Sequence, residues 1–320
     1  MALKLKYKFG NKRGMFFTMM AIVILFVFFL TYSVYNIADD RKSIDRRIDS
    51  MNNIVFSLQK DMSRQGYISS FRAIIALESY ITTNGTFLTD PQASINETLL
   101  NGTINGQPVS LMENYKLGDW NSAVQEFGNS MNLIINYSLR NVTVTQTDPW
   151  NVDINMAIDL YIADKGGLAS WNGTRIITSK VEITSFEDPF YAVYTGGKDP
   201  HKMKKTIYQP FSNLDLNPLR AHNNNSYYIA SSSGPSFLKR LQGNFSNDTN
   251  GIESLVYVPD LPLSVIKDKS IVDYIYFNPA NDPDWYTITG IPSPWFKLDN
   301  ENNHLAIYNV SDLAIHCSSC

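Results

Sequence analysis

The residues with the clearest capacity for chemistry form the last run of the chain, His316-Cys317-Ser318-Ser319-Cys320. Its two cysteines are the only ones in the sequence. A Cys-x-x-Cys pair suits a redox dithiol, half of a zinc site or a disulfide. Zinc takes four ligands and this run supplies three, while redox pairs of this kind open a helix in a βαβ unit. We therefore expect a metal-free tail in which Cys317 and Cys320 form a local disulfide or cross-link two subunits.

Asparagine acceptors for N-glycosylation are a second group of residues with possible chemistry. The chain has ten Asn-x-Ser/Thr motifs (sequons), against about five expected by chance for so short a motif. An Asn- and Ser-rich surface also creates such motifs by accident, so we expect glycans on several of them and not on all. The candidates are Asn84, Asn96, Asn101, Asn136, Asn141, Asn172, Asn224, Asn244, Asn247 and Asn309.

Other motifs of catalysis or cofactor binding are missing from the sequence. It contains no Gly-x-Ser-x-Gly, no glycine-rich phosphate loop and no His-Glu-x-x-His. A basic run, Lys202 to Lys205, is most simply a solvated loop, and the alternative is a contact for an acidic glycan or for the acidic head of a neighbouring subunit. We expect no catalytic residue, no cofactor and no metal ligand.

One apolar stretch, Met15 to Tyr35, organises the rest of the chain. Its 21 residues carry no charge, and as a helix they reach about 32 Å, enough to cross a bilayer core. Five basic residues precede it and Asp39 follows, so the positive-inside rule places the N-terminus in the cytoplasm. A cleaved secretory signal is the alternative, but the run is longer than a usual signal core and no small-x-small cleavage site follows it.

The junction Lys12-Arg13-Gly14-Met15-Phe16 resembles the prepilin (class III) signal of archaeal type IV pilin-like proteins. In that family a peptidase cuts after the glycine and the apolar helix stays in the mature subunit, which implies cleavage between Gly14 and Met15. Bacterial pilins carry a glutamate where this chain has Met19, and archaeal relatives often lack it. The resemblance covers about the first 35 residues, and an uncleaved signal anchor with a basic flank is the alternative.

Charge separates the two sides of this span. Five of the 27 Lys and Arg residues precede it, so the part from Asn36 onward has 22 basic and 30 acidic residues and a net charge of −8. An acidic surface argues against nucleic-acid binding and suits a solvated exterior.

The residues after the span predict a continuing helix. Its apolar positions are spaced by four and three residues: Ile44, Ile48, Met51, Val55, Leu58 and Met62. This spacing over three heptads fits a coiled-coil seam, or a stripe that packs on the protein's own head, as the outer half of the long helix does in pilins. We expect the helix to end near Thr82, where Thr-Thr-Asn-Gly stops it.

Beyond the helix the pattern predicts a polar loop and then a β-rich head. Residues 83–118 are rich in turn signals such as Asn84-Gly85 and Asp90-Pro91. From Val152 to Ile162 apolar residues alternate strictly with mostly polar ones, which is typical of a strand with one buried face. Further strands are predicted at 133–147, 176–183, 190–194, 227–231, 252–258, 271–277, 285–289 and 305–310, with a short helix at 235–241.

Together these patterns predict an α+β protein. Its parts are a basic cytoplasmic leader (1–14), a transmembrane helix (15–35), an amphipathic stalk helix (36–82), a polar loop (83–118), an antiparallel β-rich extracellular head (119–316) and the Cys-x-x-Cys tail (317–320). The expected function is that of a single-pass, glycosylated structural or adhesive cell-surface protein, with the membrane and itself or other surface proteins as partners. The alternative is an anchored binding or enzymatic domain acting on a cell-surface ligand such as polysaccharide.

Overall fold

A single long helix begins the structure. The computed structural model describes residues 12–198 and 201–316, and its helix α1 runs over Lys12–Asn84, 73 residues or about 110 Å. No proline interrupts it, and it ends at Gly85, whose positive φ of 65° suits glycine. The long apolar N-terminal helix predicted from the sequence is confirmed, and it extends two residues beyond the expected end. The leader before Lys12 lies outside the described residues.

The two halves of α1 have different surroundings. Every large apolar residue from Met15 to Ile37 is exposed, and the most apolar window has no buried residue. Further along, Met51, Val55 and Met62 are buried against the rest of the chain. The stripe from Met51 to Met62 therefore packs on the protein's own head, and the coiled-coil interpretation is wrong for these positions, whereas Ile44 at the start of the stripe is 39% exposed.

The buried half of α1 packs on a three-stranded antiparallel meander. Its strands are β3 (Leu133–Asp148), β4 (Asn151–Asp164) and β5 (Ser170–Glu182), in the order β3-β4-β5. The predicted alternation in β4 is confirmed, since its inward side chains from Val152 to Ile162 are 0–2% exposed. Gly66 permits the close approach of α1, because a Cβ there would lie 2.7 Å from Met156 Cε.

Residues 83–118 are not the loop that the turn signals predicted. They include helix α2 (Pro91–Asn101), a hairpin of β1 (Thr103–Ile104) and β2 (Gln107–Pro108), and a 3-10 turn over Ser110–Met112. Helix α3 (Leu117–Ser130) follows. Asp90 caps α2 by accepting a hydrogen bond from the Ala93 N–H at 3.1 Å. Such Asp-Pro and Asn-Gly pairs mark helix ends as well as loops, and Ile95 and Leu99 of α2 are fully buried.

The rest of the chain folds into short elements around a second core. The helices are α4 (Pro189–Tyr194), α5 (Asn217–Asn224), α6 (Phe237–Leu241), α7 (Asp273–Tyr276) and α8 (His304–Ile307). The strands are β6 (Tyr228–Ala230), β7 (Ile252–Ser254), β8 (Trp285–Ile288), β9 (Lys297–Asp299) and β10 (Ala314–His316), and all their pairings are antiparallel.

Three strand predictions in this part are wrong. Residues 190–194, 271–277 and 305–310 hold the helices α4, α7 and α8. Runs of four to six aromatic and β-branched residues are ambiguous between a strand and a buried helical turn. The helix predicted at 235–241 is confirmed as α6, and the strands at 227–231 and 285–289 as β6 and β8.

Two hydrophobic cores result. The first core joins the inner face of α1, α2, α3 and the meander, and it is mainly aliphatic. The second core is formed mostly by residues after Pro189 and is rich in aromatic rings, among them Phe190, Tyr191, Tyr276, Phe277 and Tyr308.

Candidate functional site: a groove beside the long helix

An apolar groove of about 880 Å³ lies between α1 and α3. Its apolar lining is provided by Ile54 and Leu58 of α1 and by Trp120, Val124 and Phe127 of α3. The Phe127 side chain is 50% exposed, which is unusual for a phenylalanine in a folded protein. A groove with these walls suits an apolar partner.

Contacts on the sheet side hold α3 in place and leave the groove open toward α1. The Trp120 ring packs on Tyr137 of β3 at 4.9 Å between centroids, and the Tyr137 hydroxyl donates to the Leu117 carbonyl. Gly128 lets α3 approach β3, because a Cβ there would lie 2.8 Å from Ile135 Cγ1. The groove is therefore fixed by the fold and does not depend on a mobile loop.

The rim of the groove is charged and solvent-exposed. Arg46, Asp49 and Asp61 line it from α1, and Arg64 donates to Asp61 at 2.6 Å. Both side chains of this ion pair are well exposed, so it contributes little to stability. The rim carries both signs of charge and does not select for a strongly charged ligand.

Arg47 anchors α1 to the end of the meander beside the groove. Its Nη2 lies 2.7 Å from Asp164 Oδ1 and 3.0 Å from the Met131 carbonyl oxygen. The hydrogen bonds from Arg47 lower the pKa of the Asp164 carboxyl. This one side chain joins α1, β4 and the residue that follows α3.

A cluster of buried charges in the second core is the other constellation with chemical groups. Arg240 Nη1 lies 2.6 Å from Asp188 Oδ2 and 3.0 Å from Asp273 Oδ2, and the Tyr228 hydroxyl donates to Asp188 at 2.8 Å. The three charged side chains are 0% exposed. A substrate has no access to them, and we interpret the cluster as structural.

A second buried group lies close by and contains His304. Its Nδ1 is 2.6 Å from Asp299 Oδ1, and its Nε2 is 3.5 Å from Glu253 Oε2 and 2.9 Å from the Tyr274 hydroxyl. Burial alone lowers the pKa of His304, but the hydrogen bonds and charges of the two carboxylates outweigh burial and raise that pKa to about 10. His304 is therefore cationic at neutral pH, paired and inaccessible.

The other buried histidines lack an acidic partner of this kind. His201 stacks on Tyr191 with ring centroids 3.6 Å apart, and burial together with the Arg240 charge lowers its pKa to about 3. In the basic run that follows it, Lys202, Lys204 and Lys205 are exposed, as a solvated loop requires.

Nine of the ten sequon asparagines are exposed, and Asn96 in α2 is half-buried. Asn136, Asn141 and Asn172 share the outward face of the meander, where Asn136 and Asn172 flank Tyr161 in one row across the three strands. Asn84 and Asn309 donate through their side-chain amides to backbone carbonyls of Tyr80 and Phe211. The structure brings three sequons together on one surface and scatters the others.

The remaining site predictions fall at the two ends of the chain. Gly14 lies within α1, and a Cβ there would meet nothing within 4 Å, while the Met15 side chain is 76% exposed. Cys317 and Cys320 lie outside the described residues. His316 is exposed, with Nε2 3.7 Å from Asp284 Oδ2. Within residues 12–198 and 201–316 no three potential metal ligands cluster.

The sequence contains a signal for the groove that the predictions above do not use. Leu117, Trp120, Val124 and Phe127 are spaced by three, four and three residues, which predicts one apolar helix face. Leu117 and Val124 of that face are buried, and Trp120, Val124 and Phe127 line the groove. Nothing local in the sequence indicates which acids meet Arg240, since Asp188 and Asp273 are 52 and 33 residues away.

Comparisons with protein-family models, with curated proteins and with solved structures found no match to this chain. The features that bear on function are therefore the long helix, the groove and the distribution of the sequons.

Proposed function

We propose that this chain is a single-pass, membrane-anchored surface protein of pilin-like type, with a structural or adhesive role. The observation that carries the proposal is the division of α1. One helix exposes about 23 consecutive residues of apolar surface and then packs its continuation into the first core. The exposed half needs a bilayer or neighbouring helices to cover it, because leaving so much apolar surface in water is unfavourable.

The charge distribution supports an exterior head. The basic residues that precede the span favour a cytoplasmic N-terminus, and the acidic remainder suits solvent. All ten sequons follow the span, and nine are accessible. In this proposal the head is extracellular and glycosylated.

The sequons also suggest which face is used for assembly. Neither α1 before Asn84 nor α3 contains a sequon and no sequon asparagine lines the groove, although Asn136 of β3 accepts a hydrogen bond from Gln125 of α3 at 3.4 Å. Arg46 and Asp61, at opposite ends of the groove's α1 wall, are about 22 Å apart along the helix. A length of four helical turns fits the apolar face of a helix from another subunit.

The native N-terminus and protease accessibility test the proposal. Mass spectrometry of the native protein should find a chain beginning at Met15. Protease added to intact cells should remove the head and leave a small membrane fragment. A chain beginning at Met1 or Ala2 would leave a plain signal anchor, and a head digested only after lysis would contradict the topology.

The groove supports a second function, which is binding of a ligand by an anchored extracellular domain. Trp120 and Phe127 provide aromatic walls, and Asp49 and Asp61 provide acids at the rim. Phe127→Asp separates the two functions, with Phe56→Asp as a control on an exposed side chain elsewhere on α1. Loss of cross-linked oligomers for Phe127→Asp alone supports assembly, whereas unchanged oligomers with lost binding to cell-wall polysaccharide support the second function.

A further inference from the structure

The end of the head nearest the membrane span has an apolar surface that the proposed assembly does not use. We call this end the base and define it by Met131, Ile134, Lys165 and Leu168. Its position is fixed by Arg47, which donates to the carbonyl of Met131, and by the Lys165 N–H, which donates to the carbonyl of Asn132. The base therefore lies beside α1 at the height of Arg47.

Three of these side chains are apolar and exposed. Met131 is 39% exposed, Ile134 is 42% exposed and Leu168 is 47% exposed. Met131 follows α3, Ile134 lies near the start of β3, and Leu168 lies in the turn between β4 and β5. Three separate elements thus place apolar side chains at the same end of the head.

The distance along α1 places the base near the lipid headgroups. Arg47 is twelve residues after Tyr35, about 18 Å along the helix axis, and the headgroup layer on each side of a bilayer is about 5–7 Å thick. Strand β4 runs toward the span, since its Asp164 end binds Arg47 whereas Met156 lies beside Gly66. The turn after β4 therefore extends beyond Arg47 toward the membrane.

A tilt of α1 narrows the remaining gap. Membrane-spanning helices tilt by about 20° on average, and the head lies to one side of the helix. A tilt toward the meander lowers the base by several ångströms, and Leu168, in the turn that extends beyond Arg47, then lies nearest the headgroup layer. Such a tilt costs little free energy. It also removes the exposed apolar side chains of the base from water, which is favourable.

The charged groups around the base suit this layer. Lys165 projects from the same turn and donates to Asn129 Oδ1 at 3.0 Å, and Arg41, Lys42 and Arg46 are exposed on α1 between the span and the base. These cations can donate to lipid phosphates. Asp39, Asp40 and Asp45 in the same stretch of the sequence offset the charge of these three cations, so apolar contact contributes more to docking than attraction to anionic lipid.

We infer that the base docks on the outer surface of the phospholipid bilayer and holds the head tilted against the membrane while the protein resides there. The inference rests on the proposed anchoring by Met15 to Tyr35. The partner is the interfacial layer of the bilayer, which is wet at its surface and apolar a few ångströms deeper.

Quenching by lipid labels tests the docking in the full chain. In a Cys317→Ser, Cys320→Ser background, one cysteine at a time is introduced by Leu168→Cys, Leu214→Cys or Val34→Cys and labelled with a small fluorophore. Leu214 is 95% exposed in the part of the chain that surrounds the second core, and Val34 lies in the span. The protein is reconstituted in vesicles of phosphatidylcholine and phosphatidylglycerol that contain a lipid with a nitroxide on its headgroup.

We expect the label at position 168 to be quenched several-fold more than the label at 214, with equal melting temperatures for the variants. Equal quenching at 168 and 214, with strong quenching at 34, would overturn the docking and leave the anchoring intact. Absence of quenching at 34 would overturn both. A second label is introduced by Ile134→Cys. Its quenching should fall to the level seen at 214 when the chain also carries Met131→Asp and Leu168→Asp. Quenching at 134 that these two changes leave unaltered would contradict the assigned contact.

Discussion

The two cores of this molecule are held together in different ways. The first core is built from long regular elements, and its buried residues are mostly isoleucine, leucine, valine and methionine. The second core is built from helices of at most eight residues and strands of at most four, with many aromatic rings. Among the described residues, seven acidic, arginine or histidine side chains in and around the second core are 0% exposed: Asp188, His222, Arg240, Glu253, Asp273, Asp299 and His304.

The difference follows from backbone hydrogen bonding. Along α1 and the meander the backbone groups pair with one another, so apolar side chains suffice to fill the space between them. Short elements leave more backbone groups without such partners, and side chains must serve them. Asp188 accepts from the Phe190 N–H, Asp273 accepts from the Ser254 N–H, and Arg240 donates to the Ile252 carbonyl. In the second core, buried charged side chains therefore form hydrogen bonds with backbone groups that a long helix or sheet would satisfy itself.

The largest effect that tests this comparison is expected for Arg240→Met. The change leaves Asp188 and Asp273 buried without their cation, and breaking a buried pair in this way costs about 3–5 kcal/mol in the free energy of unfolding. Urea denaturation of the variant checks the expectation. The matched control is Arg140→Met, whose pair with Asp159 is exposed and should contribute little to stability. Similar losses for both variants would show that burial of the Arg240 cluster has no special role.

The same contrast explains what the sequence could predict. The six alternating positions of β4 and the apolar stripe of α1 repeat with the period of their element, and burial follows that repeat throughout β4 and from Met51 to Met62 in α1. By contrast, α4, α7 and α8 are too short to show a period, and aromatic residues in them look like strands. The acids around Arg240 and the Glu253 partner of His304 come from distant segments, which no local pattern contains, whereas Asp299 is five residues from His304. The groove could be predicted only in part. The helical period of α3 is visible in the sequence, but the exposure of its apolar face depends on the spacing between α1 and α3.

The second largest effect is a dependence of the free energy of unfolding on pH, which arises from His304. The folded-state pKa of His304 is raised to about 10, whereas an unfolded histidine has a pKa near 6.5, so its contribution to stability is complete below pH 6.5 and is lost as pH rises through 10. Between pH 6.5 and about pH 9 the loss is on the order of 3 kcal/mol. Unfolding free energies measured across this range should decline. His304→Gln should be less stable at neutral pH with a flatter dependence, and an equal slope in both proteins would refute the assignment.

The first core should respond to lost volume instead of lost charge. Leu58 is 7% exposed and borders the groove, so Leu58→Ala should lower the free energy of unfolding by about 2–3 kcal/mol, near the low end for a buried leucine. Phe56, two residues earlier, is 71% exposed, and Phe56→Ala should change stability by less than about 0.5 kcal/mol. The midpoint of denaturation should not change with protein concentration, because Leu58 is buried within one chain. A midpoint that rises with concentration would favour self-association through this stripe.

The smallest effect is expected at the terminal cysteines, which come after β10 in the sequence. A disulfide between Cys317 and Cys320 closes a loop over two residues and therefore restricts the unfolded chain very little. Changing both residues to serine should leave the melting temperature nearly unchanged. A zinc site predicts the opposite, because metal binding energy becomes folding energy, and His316 with Asp284 beside it would complete a ligand set. Stoichiometric zinc in the purified protein, with a large loss of stability on chelation, would mean that a metal as well as buried ion pairs holds this part of the chain.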